Sequence, residues 1–197
     1  MLRNYTALTS SMMQSAVSYA QPSQPLPEKV TVDDPALQVL TDFKRVTAII
    51  VLAGDTVDEA HSRMIKRGVR LLLVVDQERK VIGLITANDI LGEKPMQVIA
   101  QRGIRREELL VRDVMTPQER LQVLGLDALR TAKVGHVVAT LKAAGRQHAL
   151  VVETDGSGRQ TVRGMFSATQ IARQLGVTIQ TSQVAQTFSD IEAIIGR

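Results

Sequence analysis

Apolar and polar positions first fall into helical spacing and then into an unbroken apolar run. Val57, Ala60, His61 and Met64 recur at helical intervals after Thr56, and Thr56 with Glu59 has the spacing of a capping box. Gly68 supplies a helix stop, because glycine enters the left-handed region without strain. Leu71 to Val75 is continuously apolar, as expected of a strand covered on both faces. Gln77-Glu78-Arg79 predicts a turn, Val81 to Ile85 a returning strand and Ala87 to Leu91 a helix. With a short strand over Ala48 to Leu52 in front, the predicted order is β-α-β-β-α.

The same order recurs. Gly68-Val69-Arg70-Leu71-Leu72-Leu73-Val74-Val75-Asp76 has a counterpart in Gly145-Arg146-Gln147-His148-Ala149-Leu150-Val151-Val152-Glu153. Gly83 to Ile90 matches Gly164 to Ile171, and the hairpin between the blocks is longer in the second copy, at Asp155-Gly156-Ser157-Gly158. The second copy starts with a strand over about Gln122 to Leu126. A helix follows with Val134, Val137, Val138 and Leu141 as its stripe, then a strand over Thr161 to Phe166 and a helix from Ala168 to about Leu175. A duplication with one turn insertion accounts for this, and an α+β fold follows.

The predicted boundaries are a flexible arm at 1–33, a first repeat at 34–93, a helical linker at 94–112, a second repeat at 113–176 and an extension at 177–197. The arm is rich in Ser, Thr, Gln and Pro, with a short helix over Thr9 to Tyr19. In the linker, Val98, Ile99 and Ile104 suggest a helix broken near Gly103. The extension offers a strand at Val177 to Ile179. It also offers an amphipathic helix through Phe188, Ile191, Ile194 and Ile195, which caps this chain or contacts a second copy.

Composition narrows the function. The absence of cysteine excludes disulfides and thiolate chemistry. No apolar run has the length of a membrane span, and the N-terminal stretch lacks the apolar core of a secretory signal, so a cytoplasmic protein is expected. With aromatics at 3%, a stacking platform for single-stranded nucleic acid is not expected. The net charge of +4 is spread among interspersed acids, which suits a solvated surface or an attraction for an anionic ligand. His61, His136 and His148 lack metal-ligand spacing, and neither a phosphate-binding Gly-x-x-x-x-Gly-Lys loop nor a Gly-x-Ser-x-Gly elbow occurs. The chain is therefore read as non-catalytic, requiring no cofactor.

Gly83-Leu84-Ile85-Thr86-Ala87-Asn88-Asp89 resembles the motif of the CBS family, named after cystathionine beta-synthase: a strand-end Gly, two apolar positions, Thr or Ser, two further residues and Asp. Val114-Met115-Thr116-Pro117 resembles the Met-Thr-Pro segment that often precedes such a repeat, and Leu40-Thr41-Asp42 is a weaker version of it. The similarity spans about Asp34 to Gly176. It implies two repeats packed through their sheets with pseudo-two-fold symmetry, two clefts between them, and a homodimer. It also implies a regulatory role in which AMP, ADP, ATP or S-adenosylmethionine is bound and an effector protein is signalled.

In such a site the Asp89 carboxylate would accept from both ribose hydroxyls, and Thr86 with the first-turn N–H groups would offer donors. Gly83 would let backbone or base approach, Thr47, Ile49 and Leu71 would help form the base pocket, and Arg70 would pair with phosphate. Each has a plain alternative: Asp89 and Thr86 cap a helix, Gly83 marks a bulge, and Arg70 is solvated. The second copy has Ser167 but Gln170 in place of the acid, with His148 nearby, and so forms a weaker site. Loss of charge-assisted acceptance there costs about 1–2 kcal/mol, roughly tenfold in affinity. A ligand-free interaction scaffold is the second reading, and nucleic-acid binding ranks last.

Overall fold

The computed structural model describes Met12 and residues 23–177, 188–191 and 193. The helix expected over Thr9 to Tyr19, the strand beyond Val177, and Ile194 and Ile195 lie outside the described residues.

A short 3-10 turn at Ala36–Val39 leads into β1 (Thr41–Asp42), and the first repeat follows as β2 (Ile50–Leu52), α1 (Val57–Arg67), β3 (Leu71–Val75), β4 (Val81–Thr86) and α2 (Ala87–Leu91). Next come α3 (Lys94–Arg102), α4 (Val111–Val114) and β5 (Thr116–Pro117). The second repeat contains β6 (Val123–Gly125), α5 (Leu126–Leu129), α6 (Val134–Ala143), β7 (His148–Thr154), β8 (Gln160–Ser167) and α7 (Ala168–Gln174). The predicted elements are present, but each repeat's first strand starts later than expected. Leu126, expected at a strand end, instead opens the one-turn helix α5. The capping box at Thr56 forms in full, and Gly68 ends α1 at φ 64°.

Two mixed sheets result, ordered β2-β3-β4-β5 and β1-β8-β7-β6. The two faces of β3 explain its unbroken apolar run. Leu72 and Val74 join Val57, Ala60 and Met64 of α1 and Ile90 of α2 in a buried core. Leu71 and Leu73 point the other way and meet Leu150 of the second sheet, with Leu84, Leu121 and Met165 packed around them. Helices thus cover the outer faces, while the inner faces pack the repeats together.

The strands cross between the two repeats. β5, which precedes the second repeat in sequence, pairs with β4 of the first; β1, which precedes the first, pairs with β8 of the second. The flanking segments follow the same exchange. Ala36 and Val39 are buried in the core of the second repeat, and Leu109, Val111 and Val114 in that of the first. The segment 94–112, expected as a helical linker, packs on the first repeat, with Val98 and Ile99 of α3 against its core.

Glycine makes the exchange possible. A Cβ on Gly83 would lie 2.6 Å from the Thr116 carbonyl oxygen, and one on Gly164 would overlap the Thr41 carbonyl oxygen still more severely. β1 is also fastened by charge. Asp42 accepts from Nε and Nη2 of Arg163 on β8, each at 2.7 Å. The Arg163 hydrogen bonds hold the Asp42 carboxyl below its ordinary value and raise the Arg163 guanidinium above its own.

The described end of the arm is docked rather than free. The Gln24 carboxamide donates to the Leu40 carbonyl and accepts from the Asp42 N–H, each at 2.8 Å, and so occupies the open side of β1 as a neighbouring strand would. Gln174 Nε2 donates to the Pro27 carbonyl at 2.7 Å, the Val30 N–H donates to the Gln174 carbonyl at 2.9 Å, and Val30 is buried. Residues 188–191 are helical, and Phe188 and Ile191 are buried in the second repeat's core, which supports a helix capping this same chain.

Gly164→Ala is expected to lower stability by about 1–3 kcal/mol through this clash. Gly156→Ala, at the open tip of the β7–β8 hairpin with nothing within 4 Å, is expected to have almost no effect. Urea denaturation of both variants checks the contrast.

Candidate functional site

A cleft of about 430 Å³ opens where the repeats meet. The first repeat contributes Leu84 and Thr86 from β4 and Asn88 and Asp89 from α2. The second contributes Arg120, Leu121 and Gln122 before β6, the Gly145-Arg146-Gln147 turn, and His148 and Leu150 of β7; Thr116 of β5 lies between the two sets. Leu84, Leu121 and Leu150 give it an apolar floor, continuous with the inter-sheet core.

Asp89 is held in place by local chain geometry. Thr86 is the N-cap of α2, and its Oγ1 accepts from the Asp89 N–H at 3.3 Å. In return, Asp89 Oδ2 accepts from the Thr86 N–H at 2.9 Å and from the Thr86 hydroxyl at 2.7 Å. The capping alternative raised by the sequence is thus present, and it consumes one carboxylate oxygen. Oδ1 accepts from Lys94 Nζ at 3.0 Å, and the same ammonium donates to the Val114 carbonyl at 2.7 Å. Lys94, at the start of α3, therefore ties Asp89 to the end of α4. The sequence reading missed it.

His148 faces this cleft from the second repeat. Its pKa is lowered from 6.5 to about 4, by desolvation first and by the Arg70 charge second, with the Asp89 charge opposing both. The imidazole is thus neutral near pH 7. Arg70 stands beside the cleft: its Nη2 reaches Asn88 Oδ1 at 3.5 Å, while its buried Nε has no hydrogen-bond partner among the described residues.

The remaining expected residues are dispersed. The space over Gly83 is filled by the Thr116 carbonyl, so the glycine serves strand pairing and a ligand cannot use that approach. Leu71 is buried between the sheets. Thr47 and Ile49 line a different, wider groove of about 780 Å³ on the outside of the first repeat, between β2 and α1, which Asp55, Glu59, Arg63 and Lys66 make strongly polar. Of the expected second site, His148 belongs to the Asp89 cleft. Ser167 caps α7, accepting from the Gln170 N–H at 3.4 Å. Gln170 bonds Thr41 Oγ1 at 3.2 Å and Gln174 at 3.3 Å, within the network that anchors the arm. Among the described residues, no group of three or more His, Asp or Glu side chains converges as metal ligands do, and no helix is long and apolar enough to cross a membrane.

Residues 47–95 match the family model of the CBS domain. Three solved structures are similar in fold over about three quarters of the chain. One is an uncharacterized conserved protein from Pyrococcus horikoshii, 18% identical, with the match covering 78% of this chain and 100% of that one at a TM-score of 0.53. A second is the CBS domain pair of protein MJ0100 in complex with 5′-methylthioadenosine and S-adenosyl-L-methionine, 21% identical over 73% of this chain and 97% of that one, TM-score 0.50. The third is described as a signal-transduction protein with CBS domains, from Burkholderia ambifaria, 20% identical over 70% of this chain and 89% of that one, TM-score 0.50. The chain has the fold of a CBS domain pair. Comparison with curated proteins yields no match.

The family model reaches only the first repeat. The second repeat, whose motif position carries Gln170, shows its kinship through the sheet order it shares with the first. The cleft joins the motif of the first repeat to the start of β7 in the second, which is why His148 stands opposite Asp89.

A histidine with a depressed folded-state pKa takes up its proton in the unfolded chain first, so its contribution to stability is complete above about pH 6.5 and declines toward pH 4. Wild-type protein is expected to lose urea resistance as pH falls from about 6.5 to about 4, and His148→Leu to flatten that slope.

Proposed function

We propose that this chain is a non-catalytic regulatory module that binds an adenosine-type ligand, an adenine nucleotide or S-adenosylmethionine, in the cleft at Asp89 and relays its presence to a partner protein. The observation that carries the reading is the placement of the Asp89 carboxylate and Thr86 hydroxyl at the rim of a cleft with an apolar floor. A nucleoside needs a flat apolar surface for the base and a carboxylate for the ribose diol. Asp89 Oδ1, now held by Lys94, is the oxygen that a ribose hydroxyl would take over.

Release of Lys94 would also free the Val114 carbonyl. Ligand binding would then loosen the junction of α3 and α4, which gives the signal a physical route out of the cleft. The MJ0100 pair, which holds adenosine-type ligands, lends the reading support at the level of fold. Gln170 favours a single site per chain, because its amide is engaged with Thr41 and Gln174 instead of facing a free cleft.

Isothermal titration calorimetry with AMP, ADP, ATP and S-adenosylmethionine tests the proposal. The expected result is one ligand per chain. Asp89→Asn keeps an acceptor for the α2 cap and is expected to weaken binding about tenfold. An absence of heat with all four compounds at millimolar concentration refutes the reading.

A further inference from the structure

The Asp89 carboxylate has little acceptor capacity to spare. A carboxylate oxygen accepts about two hydrogen bonds. Oδ2 already accepts from the Thr86 N–H at 2.9 Å and from the Thr86 hydroxyl at 2.7 Å, and these bonds belong to the cap of α2. Oδ1 accepts from Lys94 Nζ at 3.0 Å, which leaves it room for one more donor. A ribose diol brings a pair of hydroxyls, so the diol and the ammonium together exceed what Oδ1 can take. The ammonium is the group free to leave. The Lys94 side chain is 44% exposed, against 16% for Asp89, so its head can swing into water at little desolvation cost. The cation also accompanies the acid in sequence. In the second repeat, Gln170 stands in register with Asp89 and Leu175 in register with Lys94, so acid and cation are replaced together.

We infer that Lys94 is an internal competitor for the ribose: it must leave Asp89 Oδ1 before a diol can take both places there, and it thereby sets the ligand concentration at which the cleft fills. The inference rests on the adenosine reading above and adds to it an antagonist carried by the chain itself. The count of donors makes the competition depend on the sugar. A 2′-deoxyribose brings its 3′ hydroxyl alone, which fits on Oδ1 beside the ammonium, whereas a ribose does not. With Lys94 in place the cleft discriminates poorly between the two sugars, and without it the cleft favours ribose. An ion pair that served only to hold α3 against α2 would affect both sugars alike.

The test is calorimetry of the full chain, and of its Lys94→Met and Lys94→Ala variants, with adenosine and 2′-deoxyadenosine. Both nucleosides are uncharged, so loss of the cation cannot act through a phosphate. Each variant is expected to bind adenosine about tenfold more tightly than wild type, the worth of one charge-assisted hydrogen bond regained. Binding of 2′-deoxyadenosine is expected to stay unchanged, which also shows that the variants are folded. Adenosine binding that is unchanged or weaker in both variants overturns the competition alone, as does equal tightening for the two nucleosides. No binding of either nucleoside to wild type or variants overturns the adenosine reading and this inference together.

Discussion

The contact between the Thr116 carbonyl and Gly83, repeated between Thr41 and Gly164, underlies the rest of the structure. Each repeat alone is a three-stranded sheet with helices on one face. The fourth strand comes from the segment that precedes the other repeat. Because both sheets are completed this way, the repeats cannot separate without losing strand pairing and the buried residues beside it, Val39 and Leu40 on one side and Val111 and Val114 on the other. The inner faces, joined by Leu71, Leu73 and Leu150, then have one fixed relation.

That relation creates the cleft. β5 brings Thr116 to the edge of β4, so the motif of the first repeat and the start of β7 in the second share a wall. Asp89 gains its position from the α2 cap and its electrostatic setting from the other repeat. The cleft is lined by residues of both repeats, so its shape depends on how the two repeats sit against each other.

Much of the fold could be read from local pattern. The capping box at Thr56, the stop at Gly68, the run at Leu71 to Val75 and the motif from Gly83 to Asp89 are encoded within a few residues of each other, where spacing is informative. The exchange of β1 and β5 was not legible, because a two-residue strand has no period and its partner is set by tertiary packing. The site shows the same limit. The internal repeat aligns Val69-Arg70-Leu71 with Arg146-Gln147-His148, and the residues ahead of β2 with those ahead of β6. Thr47, Ile49, Arg70 and Leu71 are thus the equivalents, in the first copy, of residues that line the Asp89 cleft from the second. Periodicity reports which face of a sheet a residue occupies, and it is silent on which sheet lies opposite. The docked arm escaped notice for a related reason: a lone Gln24 in a Pro-rich stretch carries no pattern.

Gln24 also exposes an asymmetry in how the molecule treats its two exchanged strands. In the register of the sheets, Asp42 opposite Gly164 corresponds to Pro117 opposite Gly83. Asp42 has an outward amide hydrogen, which the Gln24 side chain takes up. Proline has no such hydrogen, so the equivalent rim of the first sheet offers no donor to a would-be neighbour. One border thus lacks a backbone donor of its own, whereas the other has a donor that the Gln24 side chain satisfies.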